Sequence, residues 1–143
     1  MIVRPYYSDA QNVLYNGDAL TVLKSLPNES LDTCLTSPPY WGARDYGSDD
    51  QIGLEAEVDQ YISNIVKVFN ILKRKLKRDR AVWLNIGDSY YNKTITVAGL
   101  PPEHGWKRNK QLMLIPFKIA IALQEDGWWL RNTLAWHKTN PMN

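Results

Sequence analysis

The sequence predicts an α/β domain built on a mainly parallel sheet with flanking helices. Three observations carry this. The opening stretch reads strand, helix, strand: Asn12–Asn16, then a helix from Asp18 through Leu26, then the apolar run Leu31–Leu35. A long amphipathic helical pattern follows, and a second apolar run, Ala81–Ile86, continues the alternation. Short apolar runs separated by helical segments are the pattern of crossover units, whose strands lie parallel.

The elements follow in chain order. Asn12–Asn16 is a first strand ended by Gly17, and Asp18 is placed to cap a helix whose Leu20, Leu23 and Leu26 share a face. Pro27-Asn28-Glu29-Ser30 is a turn, leading into the strand Leu31–Leu35 and closing a parallel β-α-β unit. Arg44–Gly53 is polar and glycine-bearing, which predicts a mobile surface loop. From Leu54 to Lys77 the apolar residues Val58, Tyr61, Ile62, Ile65, Phe69, Leu72 and Leu76 recur at helical spacing.

That helix ends in Lys73, Arg74, Lys75, Lys77, Arg78 and Arg80. Phosphate binding is one use for such a cluster. Complementing the helix dipole at its C-terminus is the preferred one. Ala81–Ile86 is a third strand, ending at Gly87-Asp88, where Asp88 is read as a turn cap in preference to a second acid in a cleft. Ser89–Gln111 lacks periodicity and mixes Tyr90, Tyr91 and Trp106 with Lys107, Arg108 and Lys110, which predicts a mobile segment suited to DNA contact. Leu112–Glu125 is a helix with Pro116 near its start and Gly127 as terminator. Trp128–Lys138 alternates as a fourth strand.

Composition narrows the classes. At 143 residues the chain is read as one domain, 1–143, with room for a real core. Its single cysteine excludes an internal disulfide and a cysteine-based metal cluster, and its two histidines, His104 and His137, suggest no metal site. Nothing resembles a signal peptide or membrane span, so an intracellular protein with no membrane partner is expected. The net charge of +2 permits nucleic-acid binding without arguing for it.

The chemistry concentrates at Thr36-Ser37-Pro38-Pro39-Tyr40-Trp41. Two successive prolines cannot continue a central strand, because neither offers a backbone N–H to the ladder. The chain therefore leaves the sheet at Ser37, at the strand end where open α/β sheets place ligands. The Ser37 hydroxyl both donates and accepts, Pro38 holds a carbonyl on a stiff backbone, and Tyr40 and Trp41 offer flat faces. Such a corner suits a planar heterocycle with an amino group, whose N–H donors meet Ser37 Oγ and the Pro38 carbonyl. Accepting those bonds favours a more tetrahedral nitrogen, able to attack an electrophilic methyl group. A plain Pro-Pro turn packed by aromatics is the structural alternative.

Ser37-Pro38-Pro39-Tyr40 after an apolar strand resembles the catalytic motif of the amino-group DNA methyltransferases, which use S-adenosylmethionine. The serine form resembles the cytosine-N4 branch, whereas the adenine-N6 branch usually carries Asp or Asn there. Further stretches match the family in order: Asn16–Leu20, Tyr40–Gly47, Trp83–Tyr90, Leu123–Trp128 and Trp136-His137-Lys138. The order is similar to the circularly permuted beta class, whose catalytic half precedes its cofactor half.

The resemblance implies a partial Rossmann-like methyltransferase fold and a set of site residues. Ser37, Pro38, Pro39 and Tyr40 would be catalytic, and Asp18, Ala19, Thr36 and Ser37 would hold S-adenosylmethionine. Trp41, Arg44 and Lys138 would meet double-stranded DNA carrying a flipped target base. A cytoplasmic, prokaryotic or phage-type setting and a restriction-modification role go with the family. Cytosine-C5 transfer is disfavoured, since it needs a thiol nucleophile and Cys34 lies inside an apolar strand.

The sequence also departs from the family. No Gly-x-Gly occurs, although such methyltransferases hold the methionine end of the cofactor in a Gly-rich loop. The target-recognition region is missing, and the family's Asn-Pro-Met-Pro run reads Asn140-Pro141-Met142-Asn143. The expectation is the N-terminal catalytic part of a methyltransferase, weak or inactive alone, relying on a second chain or a homo-oligomer. An adenine-N6 enzyme and a non-catalytic DNA-binding fragment are the alternatives.

Overall fold

The computed structural model describes residues 3–48, 50–91 and 108–140. Its centre is a parallel β-α-β unit. Strand β3 (Leu31–Thr36) leads through the corner and loop into helix α2 (Val58–Lys75), which returns the chain to strand β4 (Leu76–Leu84) beside β3. Around this unit stand a short hairpin, β1 (Tyr7–Ser8) with β2 (Val13–Leu14), and helices α1 (Ala19–Ser25) and α3 (Ile115–Glu125). The observed class is α/β, with a parallel sheet and flanking helices.

Helix α2 builds the core. Val58, Tyr61, Ile65, Phe69 and Leu72 fall three or four residues apart and are all buried, joined by Leu76, Tyr91, Met113, Ile115 and Ile119. Each such apolar side chain contributes about 1.5–3 kcal/mol relative to exposure. Phe69 meets Trp128 edge-to-face, with centroids 6.0 Å apart and planes at 72°.

The basic end of α2 is used inside the chain, where Lys73 and Lys75 meet the carbonyl ends of α3 and α1. Lys73 Nζ donates to the carbonyls of Asp126 (2.9 Å) and Gly127 (3.0 Å) and lies 5.9 Å from the Trp128 ring centroid. Lys75 is buried and donates to the Leu26 carbonyl and Asn28 Oδ1. The Pro27–Ser30 turn answers with backbone N–H groups of Glu29 and Ser30 on the carbonyls of Arg74 and Lys75, which a helix end leaves without intrahelical partners. Lys77 and Arg80 both reach Asp32, an exposed cluster of small energetic weight.

Several boundaries differ from the sequence reading. The helix expected from Leu54 begins at Val58, and Glu55 before it is engaged with the corner described below. Strand β4 starts at Leu76, and its register steps from Leu31↔Leu76 to Thr33↔Ala81. The extra residues on β4 are absorbed as a bulge with Asp79 in the left-handed region, at φ 59. Helix α3 begins at Ile115 because Leu114 is left-handed (φ 55) and cannot extend it.

Two expected strands are corrected. Asn12–Asn16 does not pair in parallel with Leu31–Leu35, so no β-α-β unit opens the chain. Only Val13–Leu14 is strand, antiparallel to Tyr7–Ser8. The cause is Asp9, whose Oδ1 accepts from the backbone N–H of Gln11 (2.8 Å) and Asn12 (2.6 Å), folding a local turn that closes a hairpin. Trp128–Lys138 is not a strand either. Residues 129–138 are all exposed, and a ladder needs a neighbouring strand, of which none lies beside them among the described residues. Most of the segment expected to be mobile, Ser89–Gln111, lies outside the described residues. Its two ends are joined by Tyr91 N–H to the Gln111 carbonyl and Lys110 N–H to the Tyr91 carbonyl.

Candidate active site

The site forms where β3 and β4 end. The Thr36 carbonyl accepts from Asn85 N–H at 2.9 Å, and with Pro38 and Pro39 next the ladder stops there. Ser37 is exposed, and its hydroxyl donates to the Tyr40 hydroxyl at 3.2 Å. The Tyr40 ring lies against Gly87, three residues beyond the end of β4. A Cβ on Gly87 would stand 2.8 Å from Tyr40 Cε2 and 2.9 Å from Cδ2, so only glycine allows this approach.

The corner is fixed from below. The buried Tyr61 hydroxyl, on α2, donates to the Pro39 carbonyl at 2.9 Å. Burial, with Glu55 and Tyr40 nearby, pushes its pKa well up, so it remains a protonated donor. Trp41 Nε1 donates to the Glu55 carbonyl at 2.8 Å. Glu55 Oε2 accepts from Gly53 N–H, and its Oε1 from Asn64 Nδ2 on α2.

The loop beyond the corner is pinched shut by Gly42 N–H on the Gly53 carbonyl at 2.7 Å. Inside it, the Gln51 side chain donates to the Arg44 carbonyl and accepts from Tyr46 N–H. The described residues of Arg44–Gly53, the loop expected to be mobile, thus share hydrogen bonds of their own.

Asp18 sits at the N-terminus of α1. Its Oδ1 accepts from both the N–H and the hydroxyl of Thr21, each at 2.8 Å. The Thr21 hydroxyl, then its backbone N–H, lower the Asp18 pKa, so the carboxylate is charged. Neither bond uses Oδ2. Since the strand before α1 belongs to a separate hairpin, shared sheet membership does not bring Asp18 to the Ser37 edge. Ala19, the first residue of α1, is exposed, as are Arg44 and Lys138. Trp41 is half-buried against the core, and its N–H is committed within the chain.

Asp88 is a cap, as expected, and of a longer-range kind: its Oδ1 accepts from Ser89 N–H and, at 3.0 Å, from Ile115 N–H at the start of α3. Cys34 is half-buried, and burial raises its pKa, leaving a neutral thiol. Tyr61, Glu55 and Asn64 were not anticipated as site residues. The available signal was polar atoms on an otherwise apolar helix face, a tyrosine hydroxyl between Val58 and Ile65 above all.

A parallel strand that ends in an exposed serine, two prolines and a tyrosine, whose ring rests on Gly87 beyond the next strand, is the corner that the sequence likens to the α/β methyltransferase class. The comparisons show the family. The family described as DNA methylase matches residues 31–143, and the chain belongs to that family. It is similar to the Type II methyltransferase M.SfiI of Streptomyces fimbriatus, 60% identical over 129 residues, which is 90% of this chain and 31% of that one. It is also similar to M.Cfr9I of Citrobacter freundii, 43% identical over 141 residues, 90% of this chain and 47% of that one. The solved PvuII DNA methyltransferase (cytosine-N4-specific) shares the fold, with a TM-score of 0.59 at 22% identity, over 85% of this chain and 36% of that one. The chain thus spans less than half the length of these relatives.

Proposed function

We propose that this chain carries the catalytic corner of an S-adenosylmethionine-dependent DNA methyltransferase acting on the N4 amino group of cytosine. The observation that carries it is the Ser37–Tyr40 corner itself, exposed at the end of β3 and rigidly supported. Family membership and the Type II methyltransferase names of its relatives support the reaction class. The cytosine-N4 specificity of the PvuII enzyme and the serine at position 37 support the base.

In this reading the amino group of a base extruded from the duplex meets Ser37 Oγ and the Pro38 carbonyl, and the Tyr40 ring stacks on it. The ring must first release its hydroxyl from Ser37 Oγ. Exposed Arg44 and Lys138 meet the DNA, and Trp41 supports the corner from its packed position.

The residues fit S-adenosylmethionine at one end. Asp18 offers a charged carboxylate with Oδ2 unused by its capping bonds, suited to an amino or hydroxyl donor of the adenosine end. Ala19 and Thr36 stand next to Asp18 and Ser37 in this reading. When bound, the group supplies an electrophilic methyl on a sulfonium. The sequence has no Gly-x-Gly loop for that end, so a second chain, a homo-oligomer or a longer polypeptide supplies it.

The test is transfer of labelled methyl to DNA, followed by separation of the modified bases, with wild type beside Ser37→Ala. N4-methylcytosine that disappears in Ser37→Ala supports the proposal, the loss corresponding to about 2–4 kcal/mol of transition-state stabilisation. Label in N6-methyladenine favours the adenine alternative. DNA binding without label, even with a polypeptide of the relatives' length, favours the non-catalytic one.

A further inference from the structure

The corner is held by a residue that touches neither base nor cofactor in the reading above. Proline rings set φ at Pro38 and Pro39, so the orientation of the Pro39–Tyr40 peptide is the main freedom left in the corner. That peptide carries the Pro39 carbonyl, which the Tyr61 hydroxyl takes at 2.9 Å. Tyr61 is 0% exposed on the apolar face of α2, between Val58 and Ile65, so its hydroxyl stands where the helix puts it. Phenylalanine would fill the same space without bonding. The hydroxyl therefore has a use beyond packing.

Rotation of that peptide would carry the Tyr40 ring away from Gly87 and its hydroxyl away from Ser37 Oγ, and so away from the Pro38 carbonyl, which lies one peptide unit upstream. We infer that Tyr61 is a positioning residue, whose hydrogen bond to the Pro39 carbonyl holds the Pro38 carbonyl and the Tyr40 ring in the geometry that receives the target amine. The inference rests on the methyltransferase reading for its functional half only. Its geometric half stands on this chain alone.

The variant is Tyr61→Phe, compared with wild type and Ser37→Ala. On the purified chain, backbone ¹⁵N relaxation reads the Tyr40 amide, which belongs to the very peptide that Tyr61 fixes. Expected is a loss of order at Tyr40 and Trp41, with amides of β3 and α2 unchanged; unchanged order at Tyr40 overturns the inference. A 3-fluorotyrosine at position 61 keeps the packing and alters only donor strength. It shifts the Pro39 carbonyl ¹³C resonance if the bond is present, and an unmoved resonance also overturns it.

In a transfer-competent polypeptide carrying this sequence, single-turnover methyl transfer by Tyr61→Phe falls at least about tenfold, with affinity for DNA and S-adenosylmethionine unchanged. Loss of affinity in step with lost stability, at an unchanged saturated rate, marks a merely structural role and overturns the inference. Wild-type rates in Ser37→Ala would instead sink the catalytic reading of the Ser37 corner, while the relaxation result still decides whether Tyr61 sets the peptide.

Discussion

Gly87 and Asp18 illustrate how single residues carry two duties at once. Gly87 carries the chain on beyond β4 and is also the surface on which the Tyr40 ring rests. Gly87→Ala places a methyl group inside the ring's van der Waals envelope, and the ring must tilt off the corner. Such overpacking costs about 1–3 kcal/mol. The expected result is a lowered urea midpoint, displaced Tyr40 ring resonances and impaired methyl transfer in a competent polypeptide. Unmoved Tyr40 resonances would show that the backbone, and not the ring, yields.

Asp18 separates its duties by substitution. Serine keeps the cap and loses the carboxylate, whereas alanine loses both. Asp18→Ala should cost about 0.5–2 kcal/mol and Asp18→Ser much less. If the carboxylate also holds the cofactor, both variants lose S-adenosylmethionine binding, measured by calorimetry, although only one loses stability. The pH dependence has a defined sign. The folded Asp18 pKa is depressed below 3.8, so its contribution is fully present above 3.8 and is lost as pH falls through the lower folded value. Acid unfolding of Asp18→Ser, which cannot titrate there, should lack that component.

Among the elements, legibility followed how local the cause was. Helix α1 with its Asp18 cap, the strand Leu31–Thr36, the crossover α2 and the Gly127 stop, with φ 86, were all readable, because cap, period and terminator lie in the segment itself. The Ser-Pro-Pro-Tyr corner was readable for the same reason. The hairpin was missed because Asp9 acts through two backbone N–H groups in a stretch without Gly or Pro. The strand expected at Trp128–Lys138 fails for the opposite reason: its pattern is local, but its pairing depends on a neighbour. Tyr61 and Glu55 were invisible as site residues, since their partners, Pro39 and Trp41, lie 22 and 14 positions away. Lys75 is the joint between elements, tying the end of α2 to Leu26 and Asn28 from a buried position. Lys75→Ala leaves the Leu26 carbonyl without this donor and should cost about 1–3 kcal/mol. Lys67→Ala, at an exposed site on the same helix, should cost far less; equal urea midpoints for the two variants would refute the joint.

For the molecule as a whole, the last expectation concerns what lies opposite the core. One face of the β3–β4 ribbon presents Leu35 and Trp83, which are register partners and are 78% and 55% exposed. The extended segment after α3 adds Trp129, Leu134 and Trp136, all exposed. A two-stranded ribbon with one apolar face in water is marginal by itself, and large exposed apolar surface favours association. The same sheet end carries the Ser37 corner, so whatever covers this face also bears on the site. In the proposed reading Asp18 holds one end of the cofactor, and the sequence has no Gly-x-Gly loop for the other. A methyl group held at one end only is not kept in line with an amine at Ser37, and lost positioning removes orders of magnitude in rate. The purified chain should therefore self-associate in light scattering, bind S-adenosylmethionine weakly in calorimetry and methylate DNA slowly or not at all. Leu35→Lys with Trp83→Lys should restore a monomer without disturbing α2, whose core lies on the other face. Tight cofactor binding by a monomeric wild-type chain, with DNA methylation at an ordinary enzymatic rate, would reject the dependence on a covering partner.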